Sequence, residues 1–182
     1  TNNSASSTNA SVTVSGSIVH VTWQDRRFEW DIFYKRSTDG GVSWEADSRL
    51  TNNSADSWYP SVSVSGSFVH IVWQDRRDGN DEIYYKRSTD DGVSWETDIR
   101  LTVFVSGAGA WNPSVSVSGS VIHVVWNDYR IGSEIWYKRN PTGNPVGIVS
   151  LNSEVPEKFS LSQNYPNPFN PVTKLEFGIP AS

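Results

Sequence analysis

Three short runs set an acid beside an arginine at equivalent places in the chain: Trp23-Gln-Asp25-Arg-Arg27, Trp73-Gln-Asp75-Arg-Arg77 and Trp126-Asn-Asp128-Tyr-Arg130. A guanidinium can grip a carboxylate with two parallel hydrogen bonds. Arg27, Arg77 and Arg130 therefore have the chemistry to hold an anionic sugar. The same residues suit a plainer role, a hairpin held by Asp–Arg–carboxylate contacts, with Asp31, Glu82 or Glu134 just before the next strand. Trp58-Tyr-Pro60 and Trp111-Asn-Pro113 place an indole at a second repeated position, where the first copy has Thr8-Asn-Ala10. An indole there can stack on a sugar ring or fill space between neighbouring units. His20, His70 and His123 share one position. Metal ligands must converge on one point, whereas these lie in successive units, so structural hydrogen bonding is expected and no metal. Asp78-Gly-Asn-Asp-Glu82 has the composition of a calcium loop without its twelve-residue ligand spacing, and reads as a turn.

The elements that must position these residues repeat. Ser11-Val-Thr-Val-Ser-Gly-Ser17 returns at 61–67 and 114–120, and Ile32-Phe-Tyr-Lys-Arg36 at 83–87 and 135–139, with offsets of 50 to 53 residues. Three units follow, 1–50, 51–101 and 102–151, and self-similarity at such a period marks a repeat architecture. Each unit reads as four strands, which in the second are Ser61–Val64, Phe68–Gln74, Glu82–Arg87 and Thr97–Thr102. The segments are short, rich in β-branched and aromatic residues, and bounded by Gly, Ser, Asp and Asn. Helical periodicity is absent. Phe68-Val-His-Ile-Val-Trp73 is apolar on both faces, as in a sheet stacked between other sheets. Four strands per repeat of this length is the pattern of a β-propeller blade.

Two units carry the octet S-x-D-x-G-x-x-W: Ser37, Asp39, Gly41 and Trp44, and 51 residues later Ser88, Asp90, Gly92 and Trp95. Ser and Asp can accept hydrogen bonds from turn amides, Gly can take a positive φ, and the Trp is expected to drop into its own blade and pin the turn. These octets resemble the Asp box of the sialidase-type (BNR-repeat) propellers. The third unit has Asn140-Pro-Thr-Gly-Asn-Pro-Val-Gly147 there, without the Ser, Asp and Trp, as terminal repeats often weaken. The resemblance implies an all-β chain of three four-stranded antiparallel blades, half of a six-bladed ring. It also implies that the loops around Asp25, Asp75 and Asp128 lie on the ligand side and the octets on the opposite face. A second resemblance lies in Ser160-Leu-Ser-Gln-Asn-Tyr-Pro-Asn-Pro-Phe-Asn-Pro171 and the stretch to Pro180, which look like the opening of the C-terminal β-sandwich sorting domain of bacterial proteins exported by the type IX route. It implies a linker over 152–159, a partial sorting domain over 160–182, and an extracellular or cell-surface location.

Composition excludes several classes. A formal charge of −5 argues against nucleic-acid binding. No apolar run is long enough for a membrane-spanning helix, and no signal peptide is seen. Cys is absent, so disulfides, thiolate metal sites and cysteine nucleophiles are excluded. Met is absent too, so Thr1 reads as a processed or excerpted start. The aromatic content of 13% indicates a chain that folds. Sialidase-like hydrolysis needs an arginine triad, a Tyr–Glu pair and an Asp acid/base from different blades. The Arg-Ile-Pro motif is missing, and Tyr129 alone stands beside an Asp and an Arg. No catalytic residue and no cofactor is assigned. The expected function is a secreted, non-catalytic module binding a glycan or protein partner. Trp58, Trp111 and the three Asp–Arg pairs are its candidate contacts, and further blades or a second copy complete the ring. A fragment of a sialidase-like exo-glycosidase and a structural or adhesive role are the alternatives.

Overall fold

The structure, a computed structural model, describes residues 4–103, 109–130 and 132–140, together with the backbone of 160–161 and 177–178. The chain divides into two units, Thr1–Ser150 and Leu151–Ser182. The first holds three antiparallel sheets, and no helix occurs among the described residues. The first sheet is β1 (Ser7–Ser15), β2 (Ile18–Asp25), β3 (Asp31–Ser37) and β4 (Ser48–Arg49), hydrogen-bonded in chain order. The second repeats it as β5 (Ser57–Ser65), β6 (Phe68–Asp75), β7 (Glu82–Ser88) and β8 (Ile99–Arg100). The third has β9 (Ala110–Ser118), β10 (Val121–Asp128) and β11 (Glu134–Asn140). The fourth strand expected for it lies outside the described residues. In the second unit, β12 (Ser160–Leu161) pairs antiparallel with β13 (Phe177–Gly178). The Gln-Asn-Tyr-Pro-Asn-Pro run also lies outside the described residues.

Two strands of the second sheet differ from the sequence expectation by more than one residue, each for a physical reason. The innermost strand starts at Ser57 rather than Ser61, because pairing with β6 continues across a bulge between Trp58 and Ser61. Pro60, which has no N–H to donate, sits in that bulge, where a ladder tolerates it. Trp58 and Trp111 are thus within β5 and β9 rather than ahead of them. The outermost strand shrinks from Thr97–Thr102 to Ile99–Arg100. Beyond it Leu101 N still donates to Ile83 O at 2.7 Å, but Thr102 turns its hydroxyl to Ile83 N (2.9 Å) and Glu82 (2.5 Å).

The core lies between sheets rather than within them. Ile32, Tyr34 and Leu50 of the first sheet pack on Val62, Val69, Ile71 and Trp73 of the second. Val72, Ile83, Tyr85 and Leu101 of the second pack on Val115, Ile122, Val124 and Trp126 of the third. That is why β6 is buried on both faces after Phe68. Full burial of each such aliphatic side chain contributes roughly 1.5–3 kcal/mol. His20, His70 and His123 reach diagonally across their sheets, with Nδ1 at 2.7, 2.8 and 2.8 Å from the hydroxyls of Tyr34, Tyr85 and Tyr137. Serine hydroxyls bridge the innermost strands: Ser11 accepts from Val62 N, and Ser61 and Ser63 accept from Val115 N and Val117 N, at 3.1 to 3.2 Å.

The octets form closed turns. Ser37 Oγ accepts from Gly41 N (2.8 Å) and donates to Asp39 (2.7 Å), while Asp39 accepts from Ser43 N (2.8 Å) and Ser43 Oγ (2.6 Å). Ser88, Asp90, Gly92 and Ser94 repeat this network. Gly41 and Gly92 take φ of +94° and +83°. The tryptophans do not drop into their own sheets. Trp95 instead reaches the preceding sheet, edge-on to Tyr34 with ring centroids 4.9 Å apart. Trp44 is exposed and donates its indole N–H to Gly41 O within its own turn, at 3.1 Å.

Candidate functional site

Hydrogen bonds sort the connecting loops onto two ends of the sheets. The β2–β3 hairpin joins the segment leading into β1 through Arg26 N to Ser6 O at 3.0 Å, and Arg76 N to Asp56 O repeats this at 3.2 Å. The octet turns join the opposite β1–β2 and β5–β6 turns through Gly40 N to Ser17 O and Asp91 N to Ser67 O, at 2.8 and 2.9 Å. The Asp–Arg runs and the octets therefore lie at opposite ends.

At the first end, Asp25, Asp75 and Asp128 close the second strand of each sheet and are fully buried. Each accepts the indole N–H of the Trp two residues before it, at 3.1, 2.8 and 3.2 Å. Each also accepts the backbone N–H and side chain of the Arg two residues after it, with Nε at 3.0, 2.9 and 3.0 Å. The guanidinium then lies over a third-strand ring, with Cζ 3.9 Å from the ring centre of Phe33 for Arg27, 4.2 Å from that of Tyr84 for Arg77 and 3.7 Å from that of Trp136 for Arg130. Burial alone would raise the Asp75 carboxyl, but hydrogen bonds from Arg77 and Trp73 outweigh it and hold the group below the usual carboxylate range. Asp128 is lowered against its burial in the same way by Arg130 and Trp126.

In the first two sheets the third member of the Asp–Arg cluster differs from the sequence expectation. Arg27 reaches Asp47 at 2.8 Å and Arg77 reaches Asp98 at 2.7 Å, both ahead of the fourth strand. Asp31 instead pairs with Arg49 (2.8 Å) and Thr51 (3.0 Å), and Glu82 with Arg100 and Thr102. These carboxylates lie within β3 and β7, in register with Asp25 and Asp75, so their partners come from the neighbouring outer strand. Glu134, the first residue of β11, is exposed. Among the described residues, no three His, Cys, Asp or Glu side chains are grouped to hold a metal ion. Asp78 of the Asp78–Glu82 loop pairs with Arg100 at 3.1 Å and accepts from the Tyr84 hydroxyl.

Between the second and third sheets, at this same end, a groove of about 360 Å³ is lined by Tyr59, Trp111, Asn112, Asn127 and Tyr129. Trp111 and Tyr129 meet edge to face with centroids 4.6 Å apart. Gly109 permits this, since a Cβ there would stand 2.8 Å from the Trp111 ring. The bulge supplies the other wall. Asn9, Tyr59 and Asn112 occupy its equivalent position with φ of +53°, +51° and +50°. Asn tolerates this backbone, whereas a bulky residue such as tyrosine is strained there, at about 1–2 kcal/mol. The Tyr59 N–H is held by Gln24 Oε1 of the first sheet at 2.8 Å. Trp58 is not part of the groove; it is half-buried with the Arg76 guanidinium 5.4 Å from its ring centre. Arg76 is anchored in turn by Asp81 at 3.0 Å. Tyr59, Asn112 and Asn127 were not among the sequence candidates. Their signal was the residue between Trp and Pro in the W-x-P runs, and the amide after each second-strand Trp.

No protein-family model matches the chain, and no curated protein matches it. Solved structures do. The chain is similar to the Hadza microbial sialidase Hz136 (TM-score 0.59, 14% identity, 74% of this chain and 35% of that one). It is also similar to Trypanosoma rangeli sialidase (0.57, 14%, 77% and 29%). A third is Zg3597, a family 117 glycoside hydrolase of the marine bacterium Zobellia galactanivorans (0.57, 14%, 81% and 56%). The chain spans about a third of the length of the two sialidases. At these identities the likeness is one of fold: three antiparallel sheets arranged as in the β-propeller of sialidases and other glycoside hydrolases.

Proposed function

We propose that this chain is a non-catalytic, glycan-holding part of a sialidase-like propeller, with the groove between Tyr59, Trp111 and Tyr129 as its binding site. One contrast carries the reading. The aromatic faces and the amides of Asn112 and Asn127 border open space, whereas the first two Asp–Arg pairs are closed on themselves, with Arg27 and Arg77 turned onto buried carboxylates. Rings that stack on a sugar face, with a few amides to fix its hydroxyls, are the usual make-up of such a pocket. The guanidinium edges of Arg27 and Arg77 are each shared between two carboxylates, which leaves them as clasps and not as anion receptors. Asp25, Asp75 and Asp128 are likewise occupied by Arg and Trp, so the candidate ligand contacts reduce to Trp111 and its new neighbours, with the more exposed Arg130 beside Tyr129 in sequence. The Ser160–Pro180 resemblance supports an exported bacterial protein acting at the cell surface or outside the cell.

A glycan array with the 182-residue chain, followed by calorimetry on the best ligand, tests this. Trp111→Ala should weaken binding roughly 10- to 100-fold, in keeping with the loss of one ring platform of 1–3 kcal/mol. Tyr59→Ala should weaken it too, and Arg76→Ala should not. Unchanged binding by Trp111→Ala would end the assignment. The likeness to glycoside hydrolases favours a second reading, a fragment of a sialidase-like enzyme. Release of sialic acid from a fluorogenic substrate, lost on Tyr129→Phe, would establish it.

A further inference from the structure

The groove between the second and third sheets has uncharged walls among the described residues: three rings, Tyr59, Trp111 and Tyr129, and two amides, Asn112 and Asn127. The stretches 104–108 and 131 beside them in sequence contain no charged residue either. The nearest cations are engaged elsewhere. Arg130 follows Tyr129 in the chain, but Asp128 holds its guanidinium at 2.9 Å, and it borders a different cavity of about 180 Å³ with Trp126, Trp136 and Lys138. Arg76 takes the place of Tyr129 in the second sheet, where Asp81 holds it at 3.0 Å beside the Trp58 ring.

The two amides are also unpartnered. In the first sheet the equivalent positions hold Asn9 and Gln24, and Asn9 Nδ2 donates to Gln24 Oε1 at 3.2 Å. In the third sheet they hold Asn112 and Asn127, whose side chains make no hydrogen bond among the described residues. Asn127 is one methylene shorter than Gln24, a difference in reach that accounts for the missing bond. Each amide keeps its carbonyl oxygen and its N–H groups for another partner. Two such amides suit adjacent hydroxyls of a sugar ring, since each hydroxyl both donates and accepts.

We propose that the sugar unit seated against Trp111 is a neutral hexopyranose, held through two adjacent hydroxyls by Asn112 and Asn127, and that sialic and uronic acids are rejected there. This rests on the reading of the groove as a glycan site. An acidic sugar would give up hydration of its carboxylate to walls that return no cation, and an unpaired carboxylate is costly to desolvate. The formal charge of −5 on the chain works in the same direction. A neutral ring instead sets C–H groups against the indole and hydroxyls against the amides.

The test is a glycan array of neutral oligosaccharides printed beside the same glycans capped with sialic or glucuronic acid, then calorimetry of the best matched pair on the 182-residue chain. The neutral member should bind more tightly by about 10-fold or more, with Trp111→Ala abolishing the difference. Its affinity should hold when salt is raised to about 1 M, where exposed charges are screened. Asn127→Gln regains the reach of Gln24, so it should close the two amides on each other and weaken the neutral ligand by about 10-fold, with the melting temperature unchanged. Full affinity in Asn127→Gln would overturn the role given to the amides. Preference for the acidic member, lost on Arg130→Gln and on Trp111→Ala, would overturn the neutral assignment and leave the groove as a glycan site. Equal binding of the two members would overturn it as well. Binding of neither would end the groove reading and this inference together.

Discussion

Tyr34 of the first sheet and Gly92 of the second stand so close that a Cβ added to Gly92 would lie 2.0 Å from the tyrosine hydroxyl oxygen. The glycine serves two ends at once: its φ of +83° turns the octet, and its missing side chain admits the neighbour's ring. Gly41 has the same turn, but a Cβ there would meet only its own Trp44, at 3.9 Å. Both alanine variants should lose about 1–2 kcal/mol to the positive φ. Gly92→Ala should lose a further 1–3 kcal/mol or so to overpacking. Chemical denaturation of the two variants side by side checks this, and equal losses would contradict it.

The tryptophans of the octets should separate in the same way. Trp95→Ala removes an aromatic partner from Tyr34 and should cost about 2–4 kcal/mol. Trp44→Ala should cost under about 1 kcal/mol, because its ring is packed by little but its own turn.

Asp75→Ala should cost about 2–3 kcal/mol, since it leaves the buried Trp73 indole N–H unpaired and Arg77 with Asp98 as its remaining carboxylate. Arg77→Lys should also destabilise, because an ammonium cannot make the two parallel bonds to Asp75 while reaching Asp98 over the Tyr84 ring. Neither change should alter glycan affinity of the folded fraction. A wild-type melting temperature for Asp75→Ala would refute the clasp.

Acid should loosen the protein in two windows. Burial first, and the Arg87 charge second, push the His70 imidazole down to about 4. Its folded value lies below its unfolded value of about 6.5, so its contribution is complete above that pH and is lost as pH falls toward 4. Hydrogen bonds from Ser43 and Ser94 hold Asp39 and Asp90 at about 2. Their contribution is complete above an unfolded value of about 3.9 and is lost as pH falls through 2. Melting temperature against pH should fall in both windows, and His70→Gln should flatten the upper one. A folded-state His70 that titrates near its free value by nuclear magnetic resonance would contradict this.

What the sequence made legible was whatever depends on neighbours within one repeat. The 50 to 53-residue period, the hairpins and the doubly apolar second strand all follow from local pattern, and the all-β sheets match them. Contacts between repeats were not legible. Trp95 meets Tyr34 rather than its own sheet because of how the sheets stack, which no local spacing encodes. The groove was half legible. Trp111 stood out by type, but Tyr59 enters only because the bulge turns it through a positive φ, and a tyrosine gives no sign that it will accept that backbone. The Asp–Arg runs had the right chemistry for a ligand, yet the indole N–H two residues upstream and the ring beneath each guanidinium direct that chemistry inward.

The serine bridges at the innermost strands have a genealogical consequence. Ser11 serves Val62, and Ser61, its own counterpart, serves Val115, so one residue position is acceptor toward the next repeat while its neighbour's amide is donor toward the last. A tandem duplication of the coding segment for the middle repeat would thus insert a module that arrives with both of its joints already made. Gain or loss of whole modules needs no compensating mutation at the seams, which makes module number the easiest property of such a gene to change.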